Sequence, residues 1–232
     1  MITNTHLPRK VENGMTQKEK VVAHVAGMIQ SLGVKSVRMD DVAQSLGMSK
    51  RTLYEMFGDK EELLFESIKY ITEESPRKAL AQIGKCENSL ELLFKCSRAM
   101  LDAGMVSDTE KRMAANLKKF YPEIAEKVKH YHAEVAINGL SNTLKRACEE
   151  GYIDPNVNIE LMIRLFFSIM TASVYENSIV IPDNVTREEV YGALAINFFR
   201  GISTPKGMET IDKYLKEWNE GCSCCQHKDG NE

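Results

Sequence analysis

Lys50, Arg51, Thr52 and Tyr54 set two cations, a hydroxyl and a phenol within five residues of one another. Groups of these types bond to phosphate oxygens and to the edges of bases in a major groove. They act together only if one rigid element projects them from one face, so the flanking residues decide the matter. Upstream, Val42, Ala43 and Leu46 fall on the inward stripe of a short helix. Gly47 suits the left-handed backbone that ends such a helix, and Ser49 stands where a side-chain oxygen caps the next one. Downstream, Leu53, Met56 and Phe57 form a second inward stripe. Residues 38–60 therefore predict two short helices crossing over a tight turn, a helix-turn-helix unit. Its second helix presents Lys50, Arg51, Thr52 and Tyr54 outward. Arg38 before the first helix, Ser49 in the turn and Lys60 after the second complete the candidate DNA contacts. Asp59 and Glu62 follow capping logic for a further helix, and Lys60 stands beside its first-turn N–H groups, a seat for phosphate.

The remaining groups with chemical potential are weaker. Cys222, Cys224, Cys225 and His227 crowd four soft ligands into six residues near the end of the sequence. Such a set suits a thiophilic ion on paper, but structural zinc sites space their cysteines in pairs. The tail is read as reduced and without fold, with a metal- or redox-sensing regulator as the alternative. His130 and His132 are two apart on a helix and do not share a face. Patterns for a nucleophile elbow, a phosphate loop or a dinucleotide fingerprint are missing. Catalytic residues and cofactors are accordingly not expected, and a helical enzyme or scaffold is the least favoured reading.

The run DDVAQSLGMSKRTLYEMFGDKEELL resembles the signature of the TetR (tetracycline-repressor-like) family of bacterial regulators. Val42, Ala43, Gly47, Met48, Ser49, Thr52, Leu53, Tyr54, Phe57, Lys60 and Leu63 occupy the family's marked places. Met39 stands where the family often has Thr, and Arg51 where Gly is frequent. With its leading helix the resemblance covers about the first quarter of the chain. It implies a DNA-binding regulator, most often a repressor, that acts as a homodimer on a palindromic operator. It also implies a helical bundle enclosing a pocket whose small-molecule effector resets the spacing of the two DNA-reading heads.

The elements that position these residues are predicted to be helices throughout. A chain of 232 residues with 43% hydrophobic and 27% charged content is ordinary for a soluble globular protein, and strand-like alternation is absent. The expected architecture is all-α, a three-helix head joined to a larger helical bundle. Residues 1–15 read as a loose arm, 16–60 as the DNA-binding domain, 61–220 as the sensing and dimerisation domain, and 221–232 as a Cys-rich tail. Residues 1–60 hold nine Lys and Arg against six Asp and Glu, so the net charge of −3 hides a basic head and an acidic remainder. Thr16 and Glu19 predict a capping box for the first helix, and the helix after Asp59 is expected to end at Pro76. One long helix is expected over 122–150. Segments 160–177 and 186–200 are apolar on more than one face, which predicts burial on two sides. A symmetric dimer through Leu165, Phe166, Ile169, Leu194 and Phe198 satisfies that requirement, with the subunit's own core as the alternative. Phe94, Met100, Met105, Met113, Phe120, Tyr131, Phe167 and Met170 are candidates to line an effector pocket. No secretory pattern or apolar run of membrane-spanning length is found, so a cytoplasmic protein with reduced thiols and no membrane partner is expected.

Overall fold

The computed structural model describes residues 14–102, 108–175 and 180–220. Met105, Cys222, Cys224, Cys225, His227 and nearly all of the expected N-terminal arm lie outside these residues. Among the described residues ten helices follow one another: α1 (Gln17–Leu32), α2 (Met39–Ser45), α3 (Lys50–Met56), α4 (Lys60–Ile83), α5 (Ser89–Asp102), α6 (Asp108–Phe120), α7 (Pro122–Glu149), α8 (Ile159–Met170), α9 (Arg187–Ile202) and α10 (Pro205–Glu220). A 3-10 turn over Val34–Ser36 joins α1 to α2, and a π turn over Thr171–Tyr175 extends α8. The architecture is all-α, as its periodicity predicts. No helix among the described residues is long and apolar enough to cross a membrane.

The chain divides into two compact units. One takes the described residues up to Gln82 together with α6 and α7 as far as Val135; the other takes those from Ile83 through α5 and from Ala136 onward. In the first unit, Thr16 caps α1 through a full box: its N–H donates to Glu19 Oε2 at 2.7 Å, and its Oγ accepts from Glu19 N–H at 3.2 Å. Gly33 closes α1 at φ 81°. Val21, Val25 and Ile29 of α1 bury against Val42, Ala43, Leu53, Phe57, Leu63, Leu64 and Ile68. Leu117, Ile124 and Val128, from α6 and the start of α7, complete that same core. α4 runs through Pro76 to Ile83 and does not end at the proline as the sequence suggests. Pro76 deprives the Thr72 carbonyl of an N–H partner, a loss that a 24-residue helix packed on this core absorbs.

The second unit is built around Leu90, Leu93, Phe94, Leu144, Ile163, Phe166, Phe198, Phe199 and Ile211. Glu150, just past α7, caps α5 from a distance by accepting from Ser89 N–H and Oγ–H, both at 2.8 Å. Pro205 opens α10. Thr204 is its cap, with the Oγ accepting from Gly207 N–H at 3.2 Å, and a first helical residue needs no N–H of its own. Thr204 N–H donates to Tyr152 O at 3.0 Å and Asp154 N–H to Ile202 O at 2.9 Å, which ties the start of α10 to the turn after α7.

Candidate nucleic-acid interface

The geometry of the head begins with the turn between α2 and α3. Gly47 takes φ 63°, Met48 N–H reaches back to Ala43 O at 3.0 Å, and Gly47 N–H reaches Gln44 O at 3.2 Å. This paired closure satisfies the last carbonyls of α2 and requires a residue that tolerates left-handed backbone. Ser49 then caps α3 by accepting from Thr52 N–H at 3.0 Å, while the Ser49 and Thr52 hydroxyls lie 2.8 Å apart. With only seven residues, α3 is too short to persist alone. It is held by Leu53, and the cap residue Phe57 follows it into the core, both fully buried. Each such burial is worth roughly 1.5–3 kcal/mol.

That inward anchoring leaves Lys50, Arg51, Tyr54 and Glu55 on the exposed side of α3. Lys50 Nζ pairs with Asp40 on α2 at 2.8 Å. The hydrogen bond and the charge of Asp40 raise the Lys50 pKa above its ordinary value. Arg51 Nε donates to Glu55 Oε1 at 2.9 Å. Arg38 is exposed at the cap position of α2, without a side-chain capping bond. Met39, which departs from the Thr frequent at its place in the resembled signature, is buried in the head core. Lys60 Nζ sits 5.4 Å from the centre of the Tyr121 ring. The first turn of α4 is partly occupied already, because Glu62 N–H donates to Asp59 Oδ1 at 2.7 Å. The arrangement is a projecting helix with cations, hydroxyls and a phenol, backed by a second helix and braced by a third.

Residues 27–66 match the family model described as bacterial regulatory proteins, tetR family. The chain carries a TetR-family head. Solved structures agree on the fold. The TetR family transcription regulator SCO0332 is 20% identical with a TM-score of 0.57, covering 80% of this chain and 97% of its own. A TetR-family regulator from Mesorhizobium loti is 14% identical with a TM-score of 0.54, covering 82% and 100%. One from a Rhodococcus species is 16% identical with a TM-score of 0.51, covering 77% and 94%. No relative among curated protein sequences matches the chain. TetR-family proteins are DNA-binding transcriptional regulators, and α3 lies within the matched residues.

Outside the TetR-family head, the expected pocket residues are divided between the two units. Met113 and Tyr131 belong to the first unit, where Met113 packs on the head core and Tyr131 meets Phe65 edge to face at 6.5 Å. Phe120, also in that unit, is a surface residue, 39% exposed, with Lys35 Nζ 5.1 Å and Lys119 Nζ 5.3 Å from its ring centre. Phe94, Met100, Phe167 and Met170 belong to the second unit. Phe94 and Met170 are buried there, while Met100 accepts from the Tyr191 hydroxyl at 3.6 Å.

The expected interface residues also separate. Phe166 and Phe198 stack on each other at 4.7 Å inside the second unit's own core, so neither lies on its surface. Leu194 is half-buried beside them. Leu165 and Ile169 do face outward, 48% and 43% exposed, and Leu161 at 52% continues the same stripe one turn earlier. Leu161 escapes a sequence reading because a helix apolar all round does not show which side its own core takes. Asp40 and Glu55, which hold the two cations of α3, escape for a different reason: acids on a DNA-reading face run against the charge expected there. Among the described residues no cluster of His, Cys, Asp and Glu is placed to hold a metal.

Proposed function

We propose that the chain is a cytoplasmic, ligand-released repressor that acts as a homodimer on a two-fold symmetric DNA site. The observation that carries this reading is the exposed face of α3, with Lys50, Arg51 and Tyr54 projecting from a capped, core-anchored TetR-family unit. Arg38, Ser49, Thr52, Tyr54 and Lys60 hold phosphates, and Lys50 and Arg51 reach base edges. In these terms residues 16–60 are the DNA-binding domain, 61–220 carry sensing and dimerisation, and 1–15 and 221–232 are accessory. The chain is a regulator and not an enzyme.

The dimer reading is supported by the stripe of Leu161, Leu165 and Ile169, spaced four residues apart along α8 and left open to solvent. Such a row on a soluble protein calls for a partner surface, and a second copy offers the same row in return. The effector, a small molecule, is placed among Phe94, Met100, Phe167 and Met170 of the second unit. Phe94 and Met170 give that region a buried apolar interior, and the Tyr191 hydroxyl supplies a polar handle.

Selection of bound duplexes from a random pool by the purified protein tests the central reading. The expected product is a site of two inverted half-sites about one helical turn apart. Recovery of no enriched sequence, with a folded protein, overturns it.

A further inference from the structure

The two charges at opposite ends of α3's exposed face are arranged against helix stability. A helix favours acids in its first turn and bases in its last, and α3 has neither. Arg51 stands in its first turn and Glu55 near its end, so each faces the wrong pole. An i,i+4 ion pair also stabilises a helix better with the acid first, and here the base comes first. Both side chains are well exposed, 89% for Arg51 and 61% for Glu55, where such a pair contributes little. Stability of α3 thus gives no account of Glu55.

The atoms involved give one. Glu55 Oε1 accepts from Nε of Arg51 at 2.9 Å, not from the terminal amino groups of the guanidinium. Among the described residues the Arg51 side chain has no other hydrogen-bond partner. A guanidinium held at Nε has its plane and direction fixed while both terminal nitrogens remain available side by side. That pair of parallel donors is what guanine O6 and N7 accept in the major groove. Lys50 is different, since its ammonium is a point charge paired across the turn with Asp40 and has no fork to aim.

We propose that Glu55 is a positioning residue for base recognition: it holds Arg51 at Nε so that the guanidinium presents its terminal fork to a guanine. The inference rests on the reading of Arg51 as a base contact. Glu55 has two effects that variants separate. Its geometry aims Arg51, and its charge repels phosphate wherever the head lands, which lowers binding to unrelated DNA. Glu55→Gln keeps an oxygen that accepts from Nε and loses the charge; Glu55→Ala loses both.

The test uses the full-length protein, the duplex selected from a random pool, copies of it substituted at each base pair, and an unrelated duplex of equal length. Glu55→Ala is expected to abolish guanine preference at one position, the same position that Arg51→Ala relaxes, and to weaken the selected site roughly tenfold. The double variant is expected to be no worse than Arg51→Ala alone. Glu55→Gln is expected to keep the preference, and both Glu55 variants to bind the unrelated duplex more tightly. The inference is overturned by Glu55→Gln losing the preference as fully as Glu55→Ala, or by Glu55→Ala altering a position that Arg51 does not read. Arg51→Ala relaxing one position while Glu55→Ala leaves it intact overturns the inference alone. Arg51→Ala weakening all duplexes equally overturns the base-reading assignment beneath it. Both residues are exposed and outside the core, so melting curves are expected to match the wild type.

Discussion

Arg51 and Lys60 are both cations of the head, but their surroundings give them different work. Arg51 stands on the open face of α3, while Lys60 lies at the start of α4, half-buried over the Tyr121 ring. Lys60→Ala is expected to weaken selected and unrelated duplexes alike and to lower the slope of log K against log salt by about one unit. Arg51→Ala is expected to cost roughly 1–3 kcal/mol on the selected duplex and far less on unrelated DNA. Titrations across salt concentration read both. Glu91, on α5, offers a test of a different kind. Its burial raises the carboxyl pKa, but hydrogen bonds from Lys95 and from Glu87 N–H outweigh that and hold it below its ordinary 4.5. A carboxyl depressed by folding contributes stability that is present above the unfolded value and lost as pH falls through the folded one. The melting temperature of the wild type is therefore expected to fall faster below pH 4.5 than that of Glu91→Gln, with parallel curves above it. Thermal scans from neutral pH downward show whether it does.

Between elements, Gly207 is the described glycine with the least room for a side chain. It is buried in the first turn of α10, and a Cβ there would meet Tyr152 O at 2.1 Å and Ser203 Cβ at 2.9 Å. In an open helix Gly→Ala gains about 1 kcal/mol. Here the sign reverses: Gly207→Ala is expected to destabilise by at least about 1–3 kcal/mol, because backbone must move to admit a methyl group. Chemical denaturation checks the sign, and a gain would contradict the described contact. Nothing in the sequence around Gly207 announces this constraint, since the Tyr152 carbonyl comes from a turn more than fifty residues away. What the sequence does disclose is local. The Thr16–Glu19 and Thr186–Glu189 boxes, the Ser49 cap and the glycines at 33 and 47 act within a few residues, and each forms as its spacing implies. The misread points depend on longer reach. Pro76 reads in sequence as the end of its helix, yet it sits inside α4. Whether Phe166 faces its own core or a partner is decided by Phe198 on another helix.

For the whole molecule, the separation of buried and open apolar residues on α8 sharpens what the proposed dimer needs. Leu165→Glu with Ile169→Glu is expected to yield a folded monomer, since both side chains are already exposed in the subunit. Phe198→Glu is expected to unfold the second unit, because it sets a charge against Phe166 and Phe199 inside a core. Sedimentation at micromolar concentration, paired with circular dichroism, distinguishes the two results; a monomeric wild type would remove the dimer altogether. The first unit has a different dependence. Its core contains Val42, Leu53 and Phe57 from the helix-turn-helix segment but also Leu117, Ile124 and Val128. During synthesis at roughly 5–20 residues per second, Val128 follows Phe57 by about 4–14 s. Over that interval the nascent helix-turn-helix segment lacks Leu117, Ile124 and Val128, which complete its interior in the folded unit. A truncated gene ending after α3 would leave it in that condition permanently, so the interior of the helix-turn-helix segment closes only once Val128 has been made.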